Sequence, residues 1–323
     1  MSAILADAPA LADARAFNRK LSWAPRFKIR NRFTPMLMQG LLRAGQFNAG
    51  SKLARRGIDV QTMVAQADGH SVPVRILRGP RPVTAVALDF HGGGWAIGNA
   101  TMDDDQNAAF IDDCGVAVVS VDYRLAPGTP LAGIMADCLA AARWLLGGGV
   151  AGFDGLPVFV VGESAGGHLA AATLLQLKAW PELLTRIHGA ILYYGVYDLA
   201  GTPSVHKAPR DTLVLDGPGM PEALRRLTPG FTDAARRTAP LSPLYGDLAG
   251  LPPALLFAGT LDPLRDDTIA MAARWHTVAA CEMHLLPECP HGFIRFPTLL
   301  GQRTVERSHA WLREQLATVA GTA

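Results

Sequence analysis

From residue 83 onwards the sequence alternates short, largely apolar runs with longer stretches of helical period, and few chain topologies accept that rhythm. Residues 83–90, 116–121, 158–161, 190–194, 254–258 and 282–286 read as strands. Residues 102–113, 131–146, 165–178, 265 to about 277 and 303 to about 319 read as helices. A strand that is apolar on both faces must be covered on both. The alternation therefore predicts an α/β fold, a mostly parallel central sheet flanked by helices. Hydrophobic residues make up 49% of the 323 and charged residues 18%, which suits a large core and argues against disorder.

Three regions stand outside this rhythm. Leu11, Ala14, Phe17 and Leu21 recur at helical spacing and stop before Pro25. Thr34-Pro35 then resembles an N-cap followed by proline at the first helical position, with Met36, Met38, Leu41 and Leu42 behind it. Two such helices are too small to form a core alone and must pack on the body. Residues 58–66 and 72–78 alternate with period two around Asp68-Gly69 and read as an antiparallel hairpin. Residues 198–251 are rich in proline and glycine, with one helix near 222–227, and read as an insertion over the sheet edge.

The formal net charge of +2 gives no global attraction to nucleic acid, but its distribution is uneven. Residues 1–56 hold eleven lysines and arginines against Asp7 and Asp13, a net of +9. That segment reads first as a solvated helical face docked on a mildly acidic body, with an acidic lipid surface or partner as the alternative. Four cysteines, Cys114, Cys138, Cys281 and Cys289, are too widely spaced for a disulfide framework or a zinc site. Free thiols in a reducing cytoplasm are the expectation. No apolar run reaches the ~20 residues of a membrane span, and the N-terminus has no apolar core of a secretory signal.

Within the strand–helix unit at 158–178 lies Gly162-Glu163-Ser164-Ala165-Gly166. A G-x-S-x-G at such a junction can force a serine onto a sharp turn, with glycines relieving the crowding on either side. The pentapeptide alone fits a plain tight turn equally well. Other strand ends decide between them. His91-Gly92-Gly93-Gly94-Trp95 follows the strand 83–90, and three glycines leave amide N–H groups able to face a developing oxyanion. One such donor is worth about 3 kcal/mol of barrier. A phosphate-binding loop would continue with Lys-Ser/Thr, whereas Trp95-Ala96-Ile97 follow here. Asp262 follows the strand 254–258 and His291 the strand ending near 286. A histidine is what a serine hydroxyl needs to lose its proton near neutral pH, and a carboxylate fixes that histidine's tautomer. Asp266 and Asp267 are weaker carboxylate candidates inside the following helix. His168 is assigned a packing role, as are the histidines at 70, 188, 206, 276, 284 and 309, on the surface or in packing.

With these residues in order, the chain resembles the hormone-sensitive-lipase-like branch of the α/β-hydrolases, mostly bacterial esterases. The resemblance rests on His91 to Trp95, Asp122-Tyr123-Arg124-Leu125-Ala126-Pro127, Gly162 to Gly167, Asp262 to Asp266 and His291-Gly292-Phe293, across roughly residues 60–320. It implies an α/β-hydrolase fold with Ser164 as nucleophile, His291 as base and Asp262 as its orienting acid. It implies an oxyanion hole from the amides of Gly92, Gly93 and Ala165, and a structural role for Asp122 to Arg124. It further implies a cap made of residues 1–55 with the insertion 198–250, set on a catalytic domain of residues 56–323. Trp95, Phe33 and Met38 are the expected lining of an apolar substrate pocket. The chain departs from the family pattern at Gly128, where an acid is usual, at Glu163, where Asp or Thr is usual, and at His168, where Asn is usual.

The function expected is a serine carboxylesterase acting on short-to-medium acyl esters through an acyl-enzyme, without cofactor or metal. Its partner is a small-molecule ester, not nucleic acid. The family also contains homodimers, which makes a homodimer an open assembly here. The same triad would serve an amidase, lactonase or lipase on a specialised substrate, and the fold would also serve a non-catalytic small-molecule receptor.

Overall fold

The computed structural model describes residue 4, residues 6–28 and residues 33–322, the side chains of Phe33 and Thr322 excepted. Three helices come first: α1 (Ala8–Leu21), α2 (Phe33–Gly45) and α3 (Ala49–Arg55). Asp7 caps α1 by accepting the Ala10 N–H at 3.0 Å, which satisfies one of the free donors of the first turn. The helix α2 begins at Phe33, so Thr34 lies inside it and not at its N-cap. The seven-residue α3 was not legible in the periodicity.

A hairpin follows, β1 (Asp59–Ala67) and β2 (His70–Arg78). Asp68 and Gly69 both have positive φ, 51° and 77°, as a two-residue turn matched to strand twist requires. The chain then alternates through β3 (Val86–Phe90), α4 (Asp104–Cys114), β4 (Ala117–Val121), α5 (Leu131–Leu146), β5 (Val158–Glu163), α6 (Ala165–Leu177), the short α7 (Pro181–Leu184) and β6 (Ile187–Tyr193). The eight strands form one sheet in the order β1-β2-β4-β3-β5-β6-β7-β8, with β7 (Ala254–Gly259) and β8 (Cys281–Leu286) at the far end. The pairs β1–β2 and β2–β4 are antiparallel and every other pair is parallel.

One face of the sheet carries α5, α6 and α11 (Arg265–His276), with Leu88, Val160, Leu169 and Trp275 in its core. The other carries α1, α4 and α12 (Leu299–Thr322), with Phe110, Phe159, Phe257 and Trp311. The strands β3, β4, β5 and β7 are buried along their whole length, which is why their sequences do not alternate. The helix α12 starts at Leu299, four residues earlier than its periodicity suggested.

Between β6 and β7 the chain forms three short helices, α8 (Pro203–His206), α9 (Met220–Leu227) and α10 (Asp233–Arg236), with 3-10 turns at Gly217–Gly219 and Pro243–Tyr245. Buried Asp267 of α11 ties its start to the body. It accepts N–H bonds from Tyr197 at 2.7 Å and Asp198 at 2.9 Å, and the Thr202 hydroxyl at 2.6 Å. Asp266 accepts the Ser204 N–H at 2.8 Å. Both weaker carboxylate candidates are thus occupied in holding this segment. A second tie joins it to the N-terminal region: Phe27 N–H donates to the Val214 carbonyl at 2.6 Å, and Lys28 pairs with Asp216 at 3.1 Å.

Candidate active site

Ser164 sits between β5 and α6 with φ 56° and ψ −116°, a conformation L-residues avoid and which the surrounding chain must enforce. The enforcement is visible at its flanking glycines. A Cβ on Gly162 would lie 2.4 Å from the Gly166 carbonyl oxygen, and one on Gly166 would lie 1.8 Å from that of Phe90. Strand, turn and helix therefore close up only with glycine at both positions.

His291 reaches this turn from the loop after β8. Its Nε2 lies 2.8 Å from Ser164 Oγ, and its Nδ1 lies 2.7 Å from Oδ2 of Asp262. Asp262 is fully buried, and its Oδ1 accepts the Leu264 N–H at 2.8 Å. With Asp262 accepting, Nδ1 carries the imidazole proton and Nε2 is left to accept from the serine hydroxyl. The Tyr194 ring stands edge-on to His291 at 4.8 Å between centroids and limits its rotation.

The loop after β3 passes over Ser164 with Gly93, Gly94 and Trp95 at positive φ, 109°, 60° and 58°. Among the described residues, the amides of Gly92 to Trp95 and of Ala165 have no acceptor, whereas the Ala96 and Ile97 amides both turn back to the Gly93 carbonyl. Tyr123 braces the loop from beneath. It stacks on His91 at 4.1 Å and donates to the His91 carbonyl at 2.6 Å. Arg124 bonds to Asp137 through Nε and Nη2, both at 2.7 Å, and Asp122 accepts the Ala100 N–H at 3.3 Å.

His168 has a defined bonding role within its packing site. Its Nδ1 accepts from Trp95 Nε1 at 3.2 Å, and its Nε2 donates to the Leu241 carbonyl at 2.9 Å. The bond from Trp95 needs Nδ1 unprotonated, and burial pushes the ring's pKa down to about 4 against the opposing pull of the Leu241 carbonyl. One histidine thus links the glycine loop to the segment before β7.

A further connection has no local signature in the sequence. Arg295 Nε bonds both carboxylate oxygens of Glu163, at 2.9 and 2.8 Å, and its Nη2 bridges Glu163 and Asp103. Burial alone would lower the guanidinium pKa, but the two carboxylates hold it well above its ordinary value. Behind them, Asp89 is buried and pushed up to about 8, first by burial and then by the Asp103 charge. Asn107 Nδ2 at 3.0 Å and Ser120 Oγ at 2.7 Å donate to it.

Ser164 and His291 open onto a cavity of about 910 Å³ between the sheet end, Phe27, Lys28 and Pro35 on one side and the segment 214–229 on another. Trp95, Ile97, Met102, Leu215, Met220 and Leu224 give it apolar walls. Of the expected pocket residues, Trp95 lines it and Met38 does not; among the described side chains of α2, Pro35 does. The Phe33 side chain lies outside the described residues. No group of three or more histidine, cysteine, aspartate or glutamate side chains with metal-binding geometry occurs among the described residues.

Residues 87–295 match the family model described as the alpha/beta hydrolase fold. The chain is 33% identical over 243 residues to an ethyl acetate hydrolase of Pseudomonas putida, covering 72% of this chain and 74% of the relative. It is 34% identical over 237 residues to the carboxylesterase NlhH of Mycobacterium tuberculosis, covering 70% and 72%. Among solved structures, the esterase LipW of Mycobacterium marinum superimposes with a TM-score of 0.81 at 28% identity, covering 95% of this chain and 97% of that one.

Proposed function

The chain belongs to the α/β-hydrolases, in their hormone-sensitive-lipase-like carboxylesterase branch, and from that premise we propose that it is a serine carboxylesterase using Ser164, His291 and Asp262 on short-to-medium acyl esters. The observation that carries the assignment is the continuous pair of contacts from Asp262 Oδ2 through the imidazole to Ser164 Oγ, 2.7 and 2.8 Å.

In this reading Ser164 Oγ attacks the ester carbonyl carbon as its proton passes to His291 Nε2. Asp262 stabilises the imidazolium and holds the ring in place. The carbonyl oxygen gains the negative charge and is received by the amides of Gly92, Gly93 and Ala165. Collapse of the tetrahedral species breaks the bond to the alcohol oxygen, which takes the proton from His291. A water molecule then gives a proton to His291 and attacks the acyl-serine carbonyl carbon. Collapse of that second species releases the acid and returns the proton to Ser164 Oγ. The apolar walls of the cavity support an acyl or alcohol group of medium length, and the relative named for ethyl acetate supports the short end of that range.

Residues 1–55 and 198–250 are assigned to the cap on the same reading, since Phe27, Pro35 and the segment 214–229 line the cavity. No helix among the described residues is long and apolar enough to cross a membrane. The four cysteines are free, which supports the assignment to the reducing cytoplasm.

The test is hydrolysis of a p-nitrophenyl ester series of increasing acyl length by the wild type and by Ser164→Ala. The proposal expects activity with a maximum at short or medium acyl length and its loss in the variant. Inactivity of the wild type on every member, or full activity of the variant, would overturn it.

A further inference from the structure

The N-terminal helices present a surface that the ester chemistry does not account for. On α2, Pro35, Met38, Gln39 and Leu42 are buried or half-buried toward the body, as is Gln46 just past its end. The two glutamines anchor it. Gln39 exchanges hydrogen bonds with the Gly98 backbone, both at 2.8 Å, and Gln46 exchanges them with the Asn99 amide at 3.0 and 2.7 Å. The opposite face is apolar and open to solvent. Met36 is 70% exposed, Leu37 68% and Leu41 67%, and the chain flanking the helix adds Trp23 at 91% and Phe47 at 90%. A solvent-facing helix side ordinarily carries polar residues, so this side is built to be covered.

The charge of the same segment identifies what covers it. Some of its cations dock on the body, as Arg15 does on Glu288 and Arg56 on Asp112. Arg19, Lys20, Arg43 and Lys52 are exposed and have no acidic partner among the described residues. Residues 1–56 carry a net of +9. A second copy presenting the same face would oppose that charge with its own. An anionic lipid surface would complement it, taking the apolar side chains into the acyl boundary and pairing the cations with headgroups.

We propose that α2 and its flanks dock this protein on anionic bilayers. Phe27, Lys28 and Pro35 line the cavity, so docking sets one side of the cavity against the lipid, from which apolar esters partition.

Trp23 is the one exposed tryptophan of the six, which gives a direct optical readout. The full chain is mixed with vesicles of phosphatidylcholine, with and without phosphatidylserine, and followed by co-sedimentation and tryptophan emission. The account expects binding to the anionic vesicles at low salt with a blue shift that Trp23→Phe removes. It expects release near 0.5 M salt, where screening acts over roughly 4 Å. The variant Met36→Ser/Leu37→Ser/Leu41→Ser, checked for folding by circular dichroism, is expected to bind at least about tenfold more weakly. Should it not fold, Arg43→Gln and Lys52→Gln are each expected to weaken binding roughly fivefold. Equal binding to neutral vesicles, no binding at low salt, or variants that bind like the wild type would overturn the proposal. So would a dimer in sedimentation equilibrium that the triple variant dissociates, without vesicle binding. None of these readouts depends on the esterase assignment.

Discussion

Arg295 grips Glu163 through one nitrogen bonded to both carboxylate oxygens, at 2.9 and 2.8 Å, and a second nitrogen shared with Asp103. Glu163 is the neighbour of Ser164, and Arg295 lies four residues beyond His291. The pair therefore ties the turn that presents the hydroxyl to the loop that presents the imidazole. A planar guanidinium fixes direction as well as distance, which a lysine ammonium does not.

The expected consequence is a rate effect at a distance from the reacting atoms. Arg295→Lys keeps the charge and loses the fork, and kcat is expected to fall about 10²-fold with KM changed little, since a displacement of about 1 Å can cost that much. Arg295→Met leaves Glu163 and Asp103 unpaired and is expected to lose about 3 kcal/mol of stability as well. Steady-state kinetics beside urea unfolding separates the two effects.

Asp262→Asn tests the tautomer argument. An asparagine can donate to Nδ1 and turn the imidazole proton toward the serine, so kcat is expected to fall by about 10⁴ with the fold intact. Ser164→Ala is expected to fall further, by roughly 10⁶. Both are read from hydrolysis rates of one p-nitrophenyl ester.

His168 makes stability fall in mild acid. Its folded pKa of about 4 lies below the ordinary 6.5, so the unfolded chain binds a proton that the folded protein refuses. The neutral-ring stabilisation is complete above the unfolded pKa and is lost as pH falls from 6.5 towards 4. Between pH 7 and 5 this amounts to about 2 kcal/mol. His168→Asn, which keeps a donor and an acceptor, is expected to flatten that part of the stability profile measured by urea unfolding.

Two glycines separate backbone contact from backbone conformation. Gly166→Ala drives a Cβ to 1.8 Å from the Phe90 carbonyl oxygen and is expected to cost at least about 3 kcal/mol and nearly all activity. Gly250 has a positive φ of 78°, which Gly166 does not, and a Cβ there meets nothing within 4 Å, so Gly250→Ala is expected to cost about 1 kcal/mol with activity retained. Thermal unfolding of both variants makes the comparison.

What could be read in the sequence was what is encoded locally. The G-x-S-x-G turn, the triple glycine and the apolar runs of β3, β4, β5 and β7 each carry their reason within a few residues. The helix α5, with its long apolar run, kept the bounds expected of it, 131–146. The helix near 222–227 was legible, but the four-residue α8 and α10 on either side of it could not be seen, because four residues hold barely one turn of any period. The Glu163–Arg295 pair could not be seen either, since its partners lie 132 residues apart and only the closure of the sheet brings them together. Glu163 did stand out as a departure from the family pattern, but nothing local indicated its partner. The pocket lining was misread at Met38 because helical spacing fixes which residues share a face, not which turn of that face reaches the cavity. Pro35, one turn earlier, is the residue that reaches the cavity.

The most direct test of Ser164 as nucleophile is stoichiometric labelling with an organophosphate such as diisopropyl fluorophosphate, followed by peptide mass mapping. The account predicts one adduct per chain, on Ser164, with esterase activity lost in proportion to labelling and no adduct in His291→Ala. An adduct on another residue that accounts for the lost activity, or full activity in a chain labelled at Ser164, would contradict it.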